Sequence, residues 1–211
     1  MSARTVAKYM RRPYDGVPSP NWREFLTHHA KDIWACDFFG VRTVFFRTLY
    51  VFFVMHHETR QILQVRVTRH PTADWAAQQV VEACDWDRDS PRYLIRDRDS
   101  RYGKAFDRRV RGLGVRQLRT PVKAPRANAL AERWVRSVRN ECLDQVLIVN
   151  ERHLQRVLDE YVAYFNAWRP HRGLGQRAPC GSAPSAQSNP TGRIIGRPVL
   201  GGLHHVYQHA A

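Results

Sequence analysis

The spacing of apolar residues changes near residue 70 of this chain, and that change constrains the fold class. Before it, three segments rich in aromatic and β-branched residues follow one another at 32–39, 45–55 and 61–67. After it, apolar residues recur at helical spacing from Pro71 to Ala83. Successive strands with short connections predict an antiparallel meander, and the change of period predicts a helix after it.

Strands and helices alternate beyond that first helix. We expect strands at 93–96 and 115–118, a helix at 106–112 between them, and two longer helices at about 126–143 and 151–168. Alternation of this kind predicts strands that pair in parallel with the earlier sheet. The order βββαβαβαα therefore predicts an α/β domain built in layers.

The two ends of the chain differ in composition from its middle. Residues 1–22 are basic and contain three prolines, which predicts an arm or linker. Residues 169–211 contain 12 Gly or Pro, a content that predicts irregular structure for most of this region. We therefore expect a folded core at 23–180 and an irregular tail at 181–211.

The charge of the chain indicates a polyanionic partner. It carries 34 Lys+Arg against 19 Asp+Glu, a formal charge of +15, which favours nucleic acid over an ordinary basic surface. The longest apolar run, at 49–55, is far shorter than the ~20 residues that span a bilayer, so no membrane is expected. The four cysteines lie far apart, without the spacing of a zinc site or of a disulfide framework.

Three acidic residues stand where the predicted elements could bring them together. Asp37 lies among apolar neighbours in WACDFF, Asp97 follows the fourth strand, and Glu132 lies on the first long helix. If the first and fourth strands are neighbours and that helix packs across them, the three carboxylates converge. Clustered carboxylates repel one another, but they are the hard oxygen ligands of Mg²⁺ or Mn²⁺, and two such ions support phosphodiester chemistry.

Each of these acids also has a structural explanation. Asp37 can be buried and satisfied by backbone amides, and Asp97 can begin a turn. Glu132 can form an ion pair with Arg136, one helical turn away. Position alone leaves both interpretations open.

The surroundings of the glutamate favour the metal site. The segment 101–139 holds 12 basic residues and two acids, Asp107 and Glu132. One face of the predicted helix carries an amide, an acid and two arginines: Asn128, Glu132, Arg136 and Arg139. A solvated basic surface is the alternative, but basic residues that lead to a carboxylate cluster are typical of a nucleic-acid active site.

These motifs resemble the catalytic core of the DDE transposases and retroviral-type integrases, especially insertion-sequence transposases with an integrase core. The resemblance rests on four segments, WACDFF, LIRDRDSRYGKAF, TPVKAPRANALAERWVRSVRNECLD and ERHLQRVLDEYVAYFNAWRPHRGL. They lie within residues 22–180, most of the chain. The resemblance implies a ribonuclease H-like fold, with a five-stranded mixed sheet, its first three strands antiparallel, and helices on both faces.

The same resemblance implies an activity and its partners. It implies cleavage at transposon ends and transfer of the 3′-hydroxyl into target DNA, with two Mg²⁺ or Mn²⁺ ions held by Asp37, Asp97 and Glu132. Water attacks in the first step and the DNA 3′-hydroxyl in the second, both as in-line displacements at phosphorus. It further implies self-association of the chain, at the nucleoid in the cytoplasm of a bacterium.

The second acid of the family pattern has two candidates. Asp97 leaves 34 residues before Glu132 and Asp99 leaves 32, against a family spacing of about 35. Asp97 also opens DRDSRY, which aligns with the D-R-x-S-x-Y form of the family. Asp99 stands where many relatives carry glycine, so the loop is expected to depart from the family geometry there.

The residues expected to contact DNA are basic or polar and lie along the same segments: Arg101, Lys104, Lys123, Arg126, Asn128, Arg133, Arg136, Arg139, Arg169, His171 and Arg172. The last three follow the second long helix, which Pro170 ends. They either contact DNA near the active site or cap the helix C-terminus, where cations are favoured.

Two other functions stay open at this point, a nuclease of the ribonuclease H type and an inactive DNA-binding remnant. The N-x-x-R-P-H ending of the second long helix favours the transposase branch. Only about 30 residues precede the first predicted strand, too few for the helix-turn-helix region that reads transposon ends in full-length relatives. We therefore expect a core without that recognition region.

Overall fold

The chain folds around a five-stranded mixed sheet in the order β3-β2-β1-β4-β5. The computed structural model describes residues 22–84, 90–120, 128–181 and 193–209. The strands of this sheet are β1 (Ile33–Arg42), β2 (Thr48–His56), β3 (Ile62–Thr68), β4 (Tyr93–Arg96) and β5 (Arg116–Arg119). The helices are α1 (Trp22–His28), α2 (Ala73–Ala83), α3 (Lys104–Gly112), α4 (Ala129–Glu141) and α5 (Glu151–Ala167).

The strand pairing confirms the predicted fold class. β1 pairs antiparallel with β2, and β2 with β3, while β1 pairs in parallel with β4, and β4 with β5. The meander and the parallel additions are thus both present. β2 begins later than expected, because Phe45 and Phe46 lie in the β1–β2 turn, where the Thr43 amide bonds the Arg47 carbonyl.

Side-chain alternation along the sheet divides the core between its two faces. On one face, Phe39 and Phe53 pack against α4 and α5, and on the other, Trp34 and Cys36 pack against α2 and α3. Trp134 of α4 is 2% exposed, with its ring centroid 4.2 Å from that of Phe53 and 5.8 Å from that of Phe39. This aromatic contact holds α4 across β1. Helices therefore lie on both faces, as predicted.

The C-terminal region corrects one prediction. Residues 194–209, expected to be irregular, form an antiparallel hairpin of β6 (Ile194–Val199) and β7 (His204–His209). Gly201 and Gly202 adopt left-handed φ values of 66° and 98° in its connection, so glycine here supports a turn. The hairpin packs on α5, where the rings of His204 and Tyr164 stack 4.7 Å apart.

The remaining boundary predictions lie partly outside the described residues. Residues 1–21 of the predicted arm lie outside them, and α1 begins at Trp22. The first long helix begins at Ala129, after its N-cap Asn128, and Arg126, where the sequence predicted its start, lies outside the described residues. Within the described ranges, no helix is long and apolar enough to cross a membrane.

Candidate active site

The parallel pairing of β1 and β4 brings two of the predicted acids side by side. Ala35 of β1 lies opposite Ile95 of β4. Two residues further along each strand direction are Asp37, inside β1, and Asp97, immediately after β4. Because side chains alternate along extended backbone, both acids belong to the face of the sheet that Ala35 and Ile95 share. The first and fourth strands are therefore neighbours, which is the arrangement needed for the predicted acids to converge.

α4 presents the third acid on a face that points away from its buried stripe. Ala131, Trp134 and Val138 are buried against the sheet, whereas Glu132 and Arg136 are exposed. Further along the same helix, Arg139 donates from Nη2 to the carbonyl of Gly40 at 2.8 Å. α4 thus crosses β1 with its acid on the side of the aspartates, and the charge of Glu132 acts on Asp37.

Asp37 is the acid most strongly affected by this environment. Burial raises the pKa of its carboxyl group to about 7, and the negative charge of Asp97 adds to this effect. The Phe38 amide donates to Asp37 Oδ1 at 2.8 Å and opposes it. Asp99 and Glu132 raise this pKa less than Asp97 does. The two aspartates are therefore the most closely coupled acids of the site.

The loop after β4 distinguishes Asp97 from Asp99. The Asp99 amide donates to Asp97 Oδ1 at 3.0 Å, which forms a tight turn. The Asp99 carboxylate accepts from the Arg101 amide at 2.8 Å and forms an ion pair with the Arg101 guanidinium. That guanidinium lies 4.6 Å from the ring centroid of Tyr50. Asp99 is thus engaged in holding the loop, and Asp97 is the better candidate for the second acid.

A buried arginine that sequence reasoning missed fixes the end of β4. The side chain of Arg96 is 3% exposed. It donates to the Asp97 carbonyl at 3.1 Å, to Gln117 Oε1 at 3.0 Å and to Asp107 Oδ1 at 2.6 Å. Its guanidinium lies 4.9 Å from the ring centroid of Tyr102. The sequence did contain a signal for this role, since Arg96 ends an apolar strand immediately before a candidate acid.

The donor chemistry of the aspartate pair fits a magnesium or manganese ion. Asp37 and Asp97 supply hard oxygen ligands at one level of the sheet, and a divalent cation would relieve their repulsion. Among the described residues, however, no group of three His, Cys, Asp or Glu is close enough together to hold a metal. Glu132 lies in the first turn of α4, close in sequence to residues 121–127, which are outside the described part. The fit therefore rests on the two aspartates.

The predicted DNA contacts divide by their exposure and partners. Lys104, Arg133, Arg136 and Arg172 are exposed. Arg101 and Arg139 instead have partners within the protein, Asp99 and the Gly40 carbonyl respectively. Lys123 and Arg126 lie outside the described residues.

The structure does not favour DNA contacts for three predicted residues. Asn128 and His171 are each 8% exposed, and the ring of His171 packs 4.6 Å from that of Phe165, so neither is presented to a DNA backbone. Arg169 donates from Nε to Glu141 Oε2 at 2.7 Å and from Nη2 to the other oxygen. Through this bidentate pair the Arg169 guanidinium holds α5 to α4. This structural role is neither the DNA contact nor the helix cap that the sequence suggested.

The raised pKa of Asp37 predicts a pH-dependent stability. Between about pH 4 and 7 the folded chain binds this proton more tightly than the unfolded chain, so ionising Asp37 weakens folding as the pH rises. The unfolding free energy of Asp37→Asn minus that of the original chain is the quantity to compare, in EDTA. We expect this difference to rise by about 1–3 kcal/mol from pH 5 to pH 8. Urea denaturation at both pH values measures this difference. A difference that does not change with pH would contradict the electrostatic assignment.

Comparison with known proteins adds a family match over part of the chain and a fold to this geometry. The family model described as integrase core domain matches residues 113–179. A chain of the simian T-cell lymphotropic virus intasome, solved in complex with the PP2A regulatory subunit B56 gamma, superimposes with a TM-score of 0.60 at 13% identity, over 82% of this chain and 65% of that one. No curated protein matches the chain significantly.

A second solved structure is similar over most of its own length. The HTLV-2 integrase catalytic core domain, solved in complex with magnesium in a trimeric form, superimposes with a TM-score of 0.56 at 11% identity, over 69% of this chain and 92% of that one. At these identities the likeness establishes the fold, which is the ribonuclease H-like fold of integrase catalytic cores.

Proposed function

We propose that this chain, whose residues 113–179 match the integrase core domain model, is a polynucleotidyl transferase that cuts DNA and joins the released 3′-end to a second DNA. The observation that carries the proposal is the parallel register of β1 and β4. It sets Asp37 and Asp97 at one level of the sheet. The family match, which lies in the C-terminal part of the core, supports it independently.

In the proposed reaction the two aspartates hold the divalent cations, with Glu132 as the third carboxylate. A bound Mg²⁺ or Mn²⁺ supplies charge stabilisation for the in-line displacement at phosphorus. In cutting, a water oxygen forms a bond to phosphorus as the bond to the 3′-oxygen breaks. In joining, that 3′-hydroxyl oxygen forms a bond to a target phosphorus as the target's own P–O3′ bond breaks. Arg96 acts as a positioning residue, since it holds the Asp97 carbonyl.

The exposed basic residues around this face support DNA as the substrate. Lys104 opens α3 and Arg136 follows Glu132 by one helical turn, and both are exposed. Neither has an ion-pair partner in the described part of the chain. With a formal charge of +15 on the whole chain, phosphate contacts of this kind would make binding steeply dependent on salt.

We also propose that the active form contains more than one copy of the chain. The HTLV-2 integrase core is solved in both dimeric and trimeric forms. Joining an end to a second DNA requires two DNA segments to be held at once. Two copies, each with its own basic surface, would provide this.

The joining reaction tests the proposal directly. The protein is incubated with labelled duplexes that represent both flanks of its gene, with a supercoiled plasmid as target, in Mg²⁺ or Mn²⁺. We expect labelled DNA covalently joined to the plasmid, and no joining in EDTA. Cutting of an RNA–DNA hybrid without any joining would favour the nuclease instead. Salt-dependent DNA binding with neither reaction would identify a DNA-binding remnant.

A further inference from the structure

A cavity of about 320 Å³ lies beside α4. Leu130, Arg133 and Ser137 of α4 line it at helical spacing, on the face adjacent to the one that carries Glu132 and Arg136. The end of α5 and the turn at 170–176 close its other side. Its volume falls at the lower end of the ~300–1,000 Å³ typical of small-ligand pockets.

The rim of this cavity carries arginines without acids to balance them. Four arginines line it, namely Arg60, Arg133, Arg169 and Arg172, and no Asp or Glu does so among the described residues. Arg169 is neutralised by Glu141. The other three have no ion pair within the described ranges. The pKa of Arg60 is lowered by burial and by the charge of Arg133, as expected for cations crowded without an anion.

The inner wall offers two buried nitrogens that lack partners. Trp134 is 2% exposed and His171 8% exposed, and neither Trp134 Nε1 nor His171 Nε2 has a hydrogen-bond partner among the described residues. A hydrogen bond to the main chain of Phe165 acts to raise the pKa of His171. Burial, and then the charge of Arg169, lowers the pKa of His171 to about 4, so the ring is neutral at pH 7. The wall therefore presents one donor, the indole N–H, and one acceptor, Nε2.

Two residues that line the cavity have a strained backbone conformation. In the described part of the chain, four non-glycine residues have a left-handed φ. Two of them line the cavity, Arg60 with φ 63° and Gln176 with φ 64°. Such conformations are strained and occur preferentially at ligand sites.

We infer that this cavity binds one mononucleotide unit, with the base against the wall formed by Trp134 and His171 and the phosphate between Arg60, Arg133 and Arg172. An unpartnered donor and an unpartnered acceptor within one wall suit a nucleobase, which offers both kinds of group, whereas phosphate offers acceptors alone. The apolar side chains of Met55, Leu130 and Phe165 suit the faces of a base. The choice of a nucleotide over another aromatic anion rests on the proposed function.

The nucleotide has two sources, a free nucleoside monophosphate or an unpaired nucleotide at a DNA end. Binding of dTMP, of thymidine, of inorganic phosphate, of a blunt duplex and of the same duplex with a two-nucleotide 3′ overhang is measured on the full chain in EDTA. Isothermal titration calorimetry serves for the small molecules, and fluorescence anisotropy for the duplexes. We expect dTMP to bind at least tenfold more tightly than phosphate or thymidine. Tighter binding of the overhang than of the blunt duplex identifies a DNA end as a source.

Two variants and one control locate this binding. Arg133→Glu and Arg60→Gln are each expected to weaken binding of dTMP, or of the overhang alone if only that binds, by about tenfold. The control is Arg156→Glu, which changes an exposed arginine of α5 that lies in another surface depression with Glu151 and Asp159. It is expected to change the affinity less than twofold. Circular dichroism melts check that each variant is folded.

The outcomes separate this inference from the proposed function. Nucleotide affinities unchanged by both cavity variants, or phosphate binding as tight as dTMP binding, would overturn the inference. DNA joining by the original chain, without any variant-sensitive nucleotide binding, would overturn it and leave the proposed function standing. A third outcome is that the original chain binds nucleotide, the two variants do not, and the original chain joins no DNA. This would support the nucleotide site in the cavity and overturn the proposed function.

Discussion

Asp97→Asn is expected to abolish DNA joining, whereas Asp99→Asn is expected to leave most of it. Asp97 follows β4 two residues beyond the Ala35–Ile95 pair, as Asp37 does on β1, so in the proposed site losing its charge would remove one of two hard oxygen ligands from the cation. Loss of even an outer-shell partner costs ~10–100-fold in metal affinity or activity, and a direct ligand should cost at least about a hundredfold. Joined product per unit time, in Mg²⁺ and in Mn²⁺, measures this effect.

Asp99→Asn is the matched control for that substitution. Its side-chain oxygen still accepts from the Arg101 amide, so the turn is kept. The lost ion pair with Arg101 is partly exposed and contributes about 0.2–1 kcal/mol to stability. If Asp99→Asn removed joining while Asp97→Asn retained it, the assignment of the second acid would be reversed. Loss in both would mean that the loop as a whole, rather than one carboxylate, is required.

Arg96→Met is expected to destabilise the chain by about 2–4 kcal/mol, since three acceptors lose a buried charged donor, although Arg119 still binds Asp107. The Asp107 carboxylate, 22% exposed, would lose its partner at 2.6 Å. The main-chain carbonyl of Asp97 and the side-chain oxygen of Gln117 would each lose a hydrogen-bond donor as well. Urea denaturation in EDTA measures the effect on stability independently of metal binding.

Arg119→Met is the control for the buried arginine. Arg119 binds the second oxygen of the same Asp107 carboxylate at 2.7 Å, but its own side chain is 52% exposed. We expect its loss to cost less than about 1 kcal/mol, as for other exposed ion pairs. Equal and small effects of both substitutions would show that Arg96 does not organise the end of β4. Where Arg96→Met remains folded, its joining rate tests the positioning role.

The sequence determined much of the fold and the identity of the candidate acids. Its apolar periods predicted the meander, the later parallel strands and the helices, because alternation and helical spacing are local properties of the chain. Asp37 was recognisable because a carboxylate amid WACDFF is costly without a partner. The hairpin at 194–209 was missed because its glycines and prolines were counted as breakers, although some of them form its turn.

Only the tertiary structure decided how these residues are used. Spacing and the DRDSRY alignment favoured Asp97 over Asp99, and the Arg101 ion pair adds a structural reason. Arg169 looks like a DNA contact in WRPHRGL, but Glu141, a residue of α4, engages it. The cavity joins side chains from a turn, two helices and a loop that are far apart in the chain. Partners of this kind are set by packing over long sequence separations, which no local pattern records.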